Sequence, residues 1–335
     1  MFGIASHDLA DIARRSARDL EALRGAKLFL TGGTGFFGKW LLAALDHADR
    51  ELKLDLRVTI LSRHPRRFLE RWPEAEGRPG WTWFEGDVAT VPILLERFDF
   101  ILHGAADTTA ITTAAEEENR TRAIIAGTER MLELTRRAHA KRLLYLSSGA
   151  VYGRRAGVRS GAREDDFADA VPVTPYGAAK REAEERCARA KIDFVTARGF
   201  AFLGPHLPLD AHYAAGNFIR DARRGGPIEV RGDGTALRSY LYAGDLVVWL
   251  LALLARGQKG RAYNVGSDEV VSTAELARAV AAEVSPAPEV IIQSTQPQGP
   301  QNIYLPNIAR AREELGLDVT VPLREAIRRT CAHPL

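Results

Sequence analysis

Lys27-Leu28-Phe29-Leu30-Thr31-Gly32-Gly33-Thr34-Gly35-Phe36-Phe37-Gly38 is the stretch on which the fold turns. Five residues of strand character run into a glycine-rich turn, and an apolar-periodic segment at 37–45 follows as helix. Gly32, Gly35 and Gly38 give the spacing G-x-x-G-x-x-G. The first glycine permits a tight turn, the second lets backbone approach a pyrophosphate, and the third packs the helix closely against the turn. A helix N-terminus presents unpaired N–H groups and partial positive charge to phosphate. Strand, turn and helix in this order predict a dinucleotide site lined by Gly32, Gly35, Phe36, Phe37 and Gly38.

The pattern repeats outward from that stretch. Short apolar strands are expected at 57–62, 81–85, 99–102, 142–146 and 193–196, with helices at 116–139 and 175–190. Such alternation predicts an α/β fold, a Rossmann-type doubly wound parallel sheet whose ligands lie beyond the carboxyl ends of the strands. After Arg198 the alternation weakens, and glycine and proline punctuate short segments, as in Gly204-Pro205-His206 and Gly232-Asp233-Gly234. The expected division is an N-terminal amphipathic helix at 1–25 and a dinucleotide-binding domain at 26–197, re-entered at about 238–262. A smaller substrate-binding lobe takes 198–237 and 263–335.

Composition narrows the function. The 335 residues are 46% hydrophobic and 27% charged, which excludes a disordered tail, a coiled coil or a disulfide miniprotein. A net charge of +3 over this much surface is a weak field, and no basic run interleaved with aromatics suggests nucleic acid as a partner. The longest apolar run, 246–255, falls short of the roughly 20 residues of a bilayer-spanning helix, so no membrane association is expected. Cys187 and Cys331 have no metal-ligand spacing and are too few for a disulfide framework. No metal is expected, and the usage fits a reducing cytoplasm.

Two features choose the chemistry. The second strand ends Leu61-Ser62-Arg63-His64, without the acid that usually binds the ribose hydroxyls of NAD. Arg63 suits a 2′-phosphate, which favours NADP(H); with Arg63 stacked on adenine instead, NAD(H) remains the alternative. Tyr176-Gly177-Ala178-Ala179-Lys180 sets a phenol and an ammonium four residues apart on one helix face. Thr174 is the expected N-cap, and Pro175 suits the first helical position. Ser147-Ser148 follows an apolar strand on the same ligand-binding edge. A nearby ammonium lowers a phenol's pKa, so Tyr176 could exchange a proton with a sugar oxygen that Ser148 holds, while a nicotinamide exchanges the hydride.

Together these residues resemble the extended short-chain dehydrogenase/reductase family, in its nucleotide-sugar epimerase/dehydratase/reductase branch. The resemblance rests on the glycine-rich turn, Gly86-Asp87-Val88, His103-Gly104-Ala105-Ala106, Ser147-Ser148-Gly149-Ala150-Val151-Tyr152-Gly153 and Tyr176 to Lys180. It continues in Gly204-Pro205, Gly232-Asp233-Gly234 with Arg238, and Tyr263-Asn264-Val265-Gly266. It implies catalytic roles for Ser148, Tyr176 and Lys180, with Lys180 also holding the nicotinamide ribose. It further implies that Asp87 and Val88 line the adenine, that Ala105 and Ala106 pass beside the cofactor ribose, and that Asn217 and Arg238 hold a nucleotide diphosphate. His206 and His212 are candidates for the sugar hydroxyls.

The same resemblance implies a nucleoside-diphosphate sugar substrate, reaction at one hydroxyl or keto carbon, C4 above others, and a homodimer. Dehydratases of the family carry an Asp-Glu pair immediately after the catalytic serine or threonine. Gly149 and Ala150 stand there instead and cannot transfer protons, which disfavours dehydration. Reduction of a 4-keto-6-deoxy sugar nucleotide is the expected reaction. The alternatives are a 4-epimerase with tightly held NAD and a dinucleotide-binding sensor without turnover.

Overall fold

The computed structural model describes residues 1–94, 96–106, 113–153, 160–211, 213–294, 296 and 301–333. His212 lies outside them. Seven strands form the main sheet: β1 (Lys27–Thr31), β2 (Arg57–Ser62), β3 (Trp81–Glu85), β4 (Phe100–His103), β5 (Arg142–Ser148), β6 (Phe194–Gly199) and β7 (Ala262–Val265). Their order is β7-β6-β5-β4-β1-β2-β3, and every pairing is parallel. The order reverses between β1 and β4, which opens a crevice at their carboxyl ends.

Side-chain alternation along the strands builds two cores. Leu28, Leu30, Leu144 and Leu146 face the helices Phe36–Leu52 and Ala243–Arg256. Phe29, Ile101, Leu143 and Tyr145 face the opposite way, toward the helices Ala114–Arg137 and Pro175–Arg189. Strands buried on both faces carry continuous apolar runs, which is why β1, β4 and β5 were readable as strands.

Two boundaries depart from expectation. The N-terminal segment is two helices, Ser6–Arg15 and Ala17–Glu21, because buried Ser16 leaves helical backbone between them. Residues 263–265 belong to the main sheet, not to the smaller lobe: β7 pairs with β6 from Ala262↔Thr196 to Val265↔Gly199. Four residues are too few to display a period, so only pairing reveals the strand.

The remainder is built from ladders two or three residues long. Phe202–Leu203 pairs with Leu241–Tyr242, and Ile228–Val230 pairs with Val290–Ile292. Leu237–Arg238 lies between Val271–Ser272 and Ile303–Tyr304. Tyr304 brings one of these ladders to the carboxyl end of β5, its hydroxyl 3.4 Å from Ser148 Oγ. No described helix is long and apolar enough to cross a membrane.

Candidate active site

The turn after β1 has the shape its glycines require. Gly32 has φ +80°, and a Cβ there would stand 2.7 Å from the Gly104 carbonyl group. A Cβ on Gly38 would meet the Gly32 carbonyl oxygen at 2.3 Å, so helix and turn touch through backbone. Over Gly35 the nearest atom to such a Cβ is 3.4 Å away, which leaves that face open. Gly35 starts the helix Phe36–Leu52, no side chain caps it, and its first turn holds no acid. Open backbone plus uncapped amides is the environment a pyrophosphate needs, so these residues fit a dinucleotide.

Thr31 secures the neighbouring loop, a role unrecognised in the sequence. Its Oγ1 accepts from the amides of Gly104 (3.2 Å) and Ala105 (3.0 Å), which leaves its hydrogen for His103 Nδ1 at 2.9 Å. The ring proton of His103 therefore sits on Nε2, toward Thr128 Oγ1 at 3.4 Å. Burial holds His103 neutral, its pKa down to about 3. The available signal was that Thr31 and His103 end strands that pair in register. Ala105 and Ala106 follow, both half-buried.

Arg63 is exposed, one residue beyond β2. Gly86 donates to the Ser62 carbonyl at 2.9 Å, so Arg63 and the Gly86-Asp87-Val88 loop leave adjacent strand ends. Asp87 accepts from the Ala89 amide at 2.8 Å. Val88 packs on the helix Ala114–Arg137 so closely that a Cβ at Gly127 would stand 2.8 Å from it.

At the end of β5, the helix Pro175–Arg189 brings up Tyr176 and Lys180. Thr174 caps it through the Gly177 amide at 3.0 Å, and Pro175 takes its first turn. Ser148 accepts from the Ala150 amide at 3.2 Å, lies 3.4 Å from the Tyr304 hydroxyl, and stands near enough to the Tyr176 phenol to act on its pKa. Serine, tyrosine and lysine thus converge.

The electrostatics differ from the simple ammonium–phenol pair. Lys180 is buried, donates to the Leu146 carbonyl at 2.8 Å and lies 6.0 Å from the Tyr176 ring centroid. Burial pushes the Tyr176 phenol up, and the nearby Tyr213 and Tyr304 reinforce this. The Ser148 hydroxyl and Arg120 act downward and lose. Arg120, from the helix Ala114–Arg137, stacks 5.2 Å from the Tyr176 ring centroid. Desolvation therefore outweighs the cations here, and the phenol keeps its proton. Burial also lowers Lys180 to about 8, with Glu184 opposing.

Tyr304, Phe200 and Tyr213 complete this wall and were missed. The Phe200 and Tyr304 rings are 4.9 Å apart. Tyr304 lies 128 residues beyond Tyr176 in a two-residue strand, so no local pattern could announce it. Phe200 also explains Gly149: a Cβ there would lie 2.7 Å from the Phe200 ring, leaving no room for a carboxylate.

Arg238 extends the wall. It sits 5.8 Å from the Tyr304 ring centroid and donates to the carbonyls of Leu237 (2.7 Å) and Asn302 (3.1 Å). It pairs with no carboxylate among the described residues. Asn217 is in the first turn of the helix Ala214–Arg223, where Tyr213, not Asn217, is the N-cap. It accepts from Arg220 at 3.2 Å and lines a cleft of about 570 Å³ with Phe218, Arg220, Arg224, Arg231 and Thr273.

His206 is spent elsewhere. Its Nε2 meets the Phe2 carbonyl at 2.6 Å, and its ring packs against Trp72 and His333. Burial lowers it to about 4, so it is a neutral clamp on the N-terminal segment, not a ligand for sugar hydroxyls.

Known proteins share the fold and the family model. The model of the NAD dependent epimerase/dehydratase family matches residues 28–266. UDP-glucuronic acid decarboxylase 3 of Arabidopsis thaliana is 28% identical over 308 residues, covering 90% of this chain and 86% of the relative. Among solved structures, an epimerase from Methanothermobacter thermautotrophicus superposes with a TM-score of 0.80 at 24% identity, covering 94% of this chain and 93% of that one. A UDP-glucuronic acid 4-epimerase from Bacillus cereus, solved with UDP-glucuronic acid and NAD, has a TM-score of 0.76 at 21% identity. That match covers 91% of this chain and 98% of the other.

Proposed function

The chain belongs to the NAD dependent epimerase/dehydratase family, and from that premise we propose that it oxidises and re-reduces a single carbon of a nucleoside-diphosphate sugar, as a 4-epimerase that retains NAD. One observation carries this reading. Ser148, Tyr176 and Lys180 meet at the end of β5, while Gly149 and Ala150 beside them offer no proton-transferring group, and Phe200 fills the space for one. A site so equipped can move a hydride and a proton at one carbon and cannot assist elimination at the next.

Bound at the Gly32–Gly38 turn, an oxidised nicotinamide would supply the hydride acceptor. Tyr176 exchanges the proton with the sugar oxygen, and Ser148 orients that oxygen between the two tyrosines. Deprotonated, Tyr176 would take the hydroxyl proton as the hydride leaves the carbon, and the phenol so formed would return it to the keto oxygen as the hydride comes back. Lys180 is placed to hold a ribose hydroxyl and to bias the phenol toward release of its proton. Arg238, with no acidic partner among the described residues and stacked by Tyr304, offers a fork to diphosphate oxygens, and Asn217 offers an amide from the cleft wall. Uridine diphosphate sugars, glucuronic acid included, head the substrate classes to test, since similar proteins act on them.

A second reading, NADP(H)-dependent reduction of a 4-keto-6-deoxy sugar nucleotide, is favoured by Arg63 standing where NAD sites usually hold an acid. The family description and the NAD bound in the Bacillus relative weigh toward NAD. The deciding experiment offers native and 4-keto nucleoside-diphosphate sugars with each nicotinamide and identifies products by NMR. Interconversion of C4 epimers without net cofactor use is the expected result. Stoichiometric NADPH oxidation, or loss of carbon dioxide from a uronic acid, would replace epimerisation with reduction or decarboxylation. No turnover with any sugar in the panel would leave the sensor reading.

A further inference from the structure

Two consecutive residues at the end of β5 are laced to the helix that carries Tyr176 and Lys180. Lys180 Nζ donates to the Leu146 carbonyl at 2.8 Å, and Ser147 donates to Glu184 Oε1. Lys180 and Glu184 are one helical turn apart on the same face, 3% and 6% exposed. From β6, Arg198 grips the Glu184 carboxylate from the other side. Its Nε lies 3.1 and 3.0 Å from the two oxygens, and Nη2 lies 2.7 Å from Oε2. Ser147 and Arg198 are register partners across β5 and β6, so the sheet itself sets this geometry.

Arg198 also reaches outward, donating to the Tyr152 hydroxyl at 2.7 Å and the Glu164 carbonyl at 3.0 Å. Tyr152 in turn donates to Asn264 Oδ1 at 2.8 Å, and the Asn264 amide donates to the carbonyls of Ala162 and Asn307. The ion pair is thus anchored in β6, in β7 and in the segment that follows Tyr304. Burying such a pair is a poor route to stability, because apolar residues of similar volume commonly serve as well or better. Its placement one turn from the catalytic lysine gives it another use.

We propose that Glu184 is a positioning residue whose buried carboxylate, locked by Arg198 and Ser147, keeps the Lys180 ammonium charged and aimed along the end of β5. The groups facing Lys180 support this. From its own helix come Tyr176, Glu184 and Cys187; from β4, His103; from β5, Tyr145, whose ring centroid is 4.9 Å from Nζ; and from β6, Arg198 through Glu184. Burial keeps His103 unprotonated and keeps the Tyr145 phenol and Cys187 thiol protonated, Cys187 pushed up to about 12. That leaves Glu184 as the negative charge opposing the desolvation that pulls Lys180 down to about 8.

The test is a direct titration of lysine ε-carbons by ¹³C NMR in the full chain, with the Lys180 signal assigned by Lys180→Met. Glu184→Gln alone strands a buried guanidinium and risks unfolding, so it is paired with Arg198→Met, which removes both charges. In that double variant the Lys180 midpoint should fall by about one pH unit or more, while Glu184→Asp, which keeps the charge, should hold it within about half a unit. The alkaline limb of kcat should move down by the same amount. A purely structural role would lower the melting temperature and leave the midpoint in place, and that result in any folded variant lacking the carboxylate overturns the proposal. Should the double variant not fold, Glu184→Met with Arg198→Met, which fills the same space with apolar side chains, is read by the same criterion. The kinetic arm rests on the proposed redox reading, whereas the titration does not, so the two can fail separately.

Discussion

Two helices cover opposite faces of the same sheet with opposite contents. Ala243–Arg256 is buried along its whole length from Ala243 to Leu254, and its polar burden is confined to Asp245 in the first turn. There Asp245 accepts from Arg15 at 2.6 Å and from the amides of Thr320 and Val321 at 3.0 Å each. Pro175–Arg189 buries Lys180 and Glu184 between small residues: Gly177, Ala179, Ala183 and Cys187. The apolar helix supplies stability. The other uses small side chains to come close enough for its charges to reach β5, and it gives up hydrophobic burial to do so.

The largest effect that would sharpen this contrast is on turnover. Tyr176→Phe keeps the ring and its Arg120 stacking but deletes the proton, so turnover of the sugar in the proposed reaction should fall by ~10²- to 10⁴-fold with the melting temperature little changed. A variant retaining a tenth or more of wild-type activity would erase the functional half of the contrast. On the opposite face, Leu253 is fully buried, and Leu253→Ala should cost about 2–5 kcal/mol in urea unfolding while kcat per folded molecule stays constant. A loss of kcat comparable to that of Tyr176→Phe would show that the faces are not separable.

Acid should act on both regions. His103 and His206 have folded pKa values of about 3 and about 4, below the ordinary 6.5, so the unfolded chain binds the extra protons. Their contribution is complete above the unfolded value and is lost as pH falls from 6.5 toward those folded values, at up to ~1.4 kcal/mol per pH unit for each histidine. His206→Asn should flatten that slope in chemical-denaturation curves taken between pH 4 and 6.5. An unaltered slope would mean that His206 titrates normally. The smallest expected change is at the catalytic helix's N-terminus: Thr174→Ala, which removes the bond to the Gly177 amide, should cost about 1 kcal/mol. The loss should appear as faster hydrogen exchange in the first turn, ahead of any global change.

Legibility followed the same division. β1, β2 and β3 have the bounds their apolar runs announced, and β5 runs two residues further, to Ser148. The ladders beyond β6 left no trace, because two or three paired residues generate no period, and β7 straddles the expected boundary at 262–263 for that reason. The glycine spacing, Ser148, Tyr176 and Lys180 were visible because their chemistry demands fixed residue types at fixed local offsets. Tyr304, Arg120 and the Glu184–Arg198 pair were not, since their partners lie far away along the chain. His206 shows the converse error: a polar residue in a suggestive motif was claimed by Phe2, from the far end of the sequence.

What the amino-acid order determined by itself was the parallel α/β frame, the glycine-rich turn and the residues proposed for proton transfer, all encoded in short-range periodicity and local backbone requirements. Tertiary structure alone decided the charge states. Whether a phenol holds its proton, or an ammonium survives burial, depends on desolvation and on charges brought within a few ångströms from other strands. Those distances come into being only when the sheet closes.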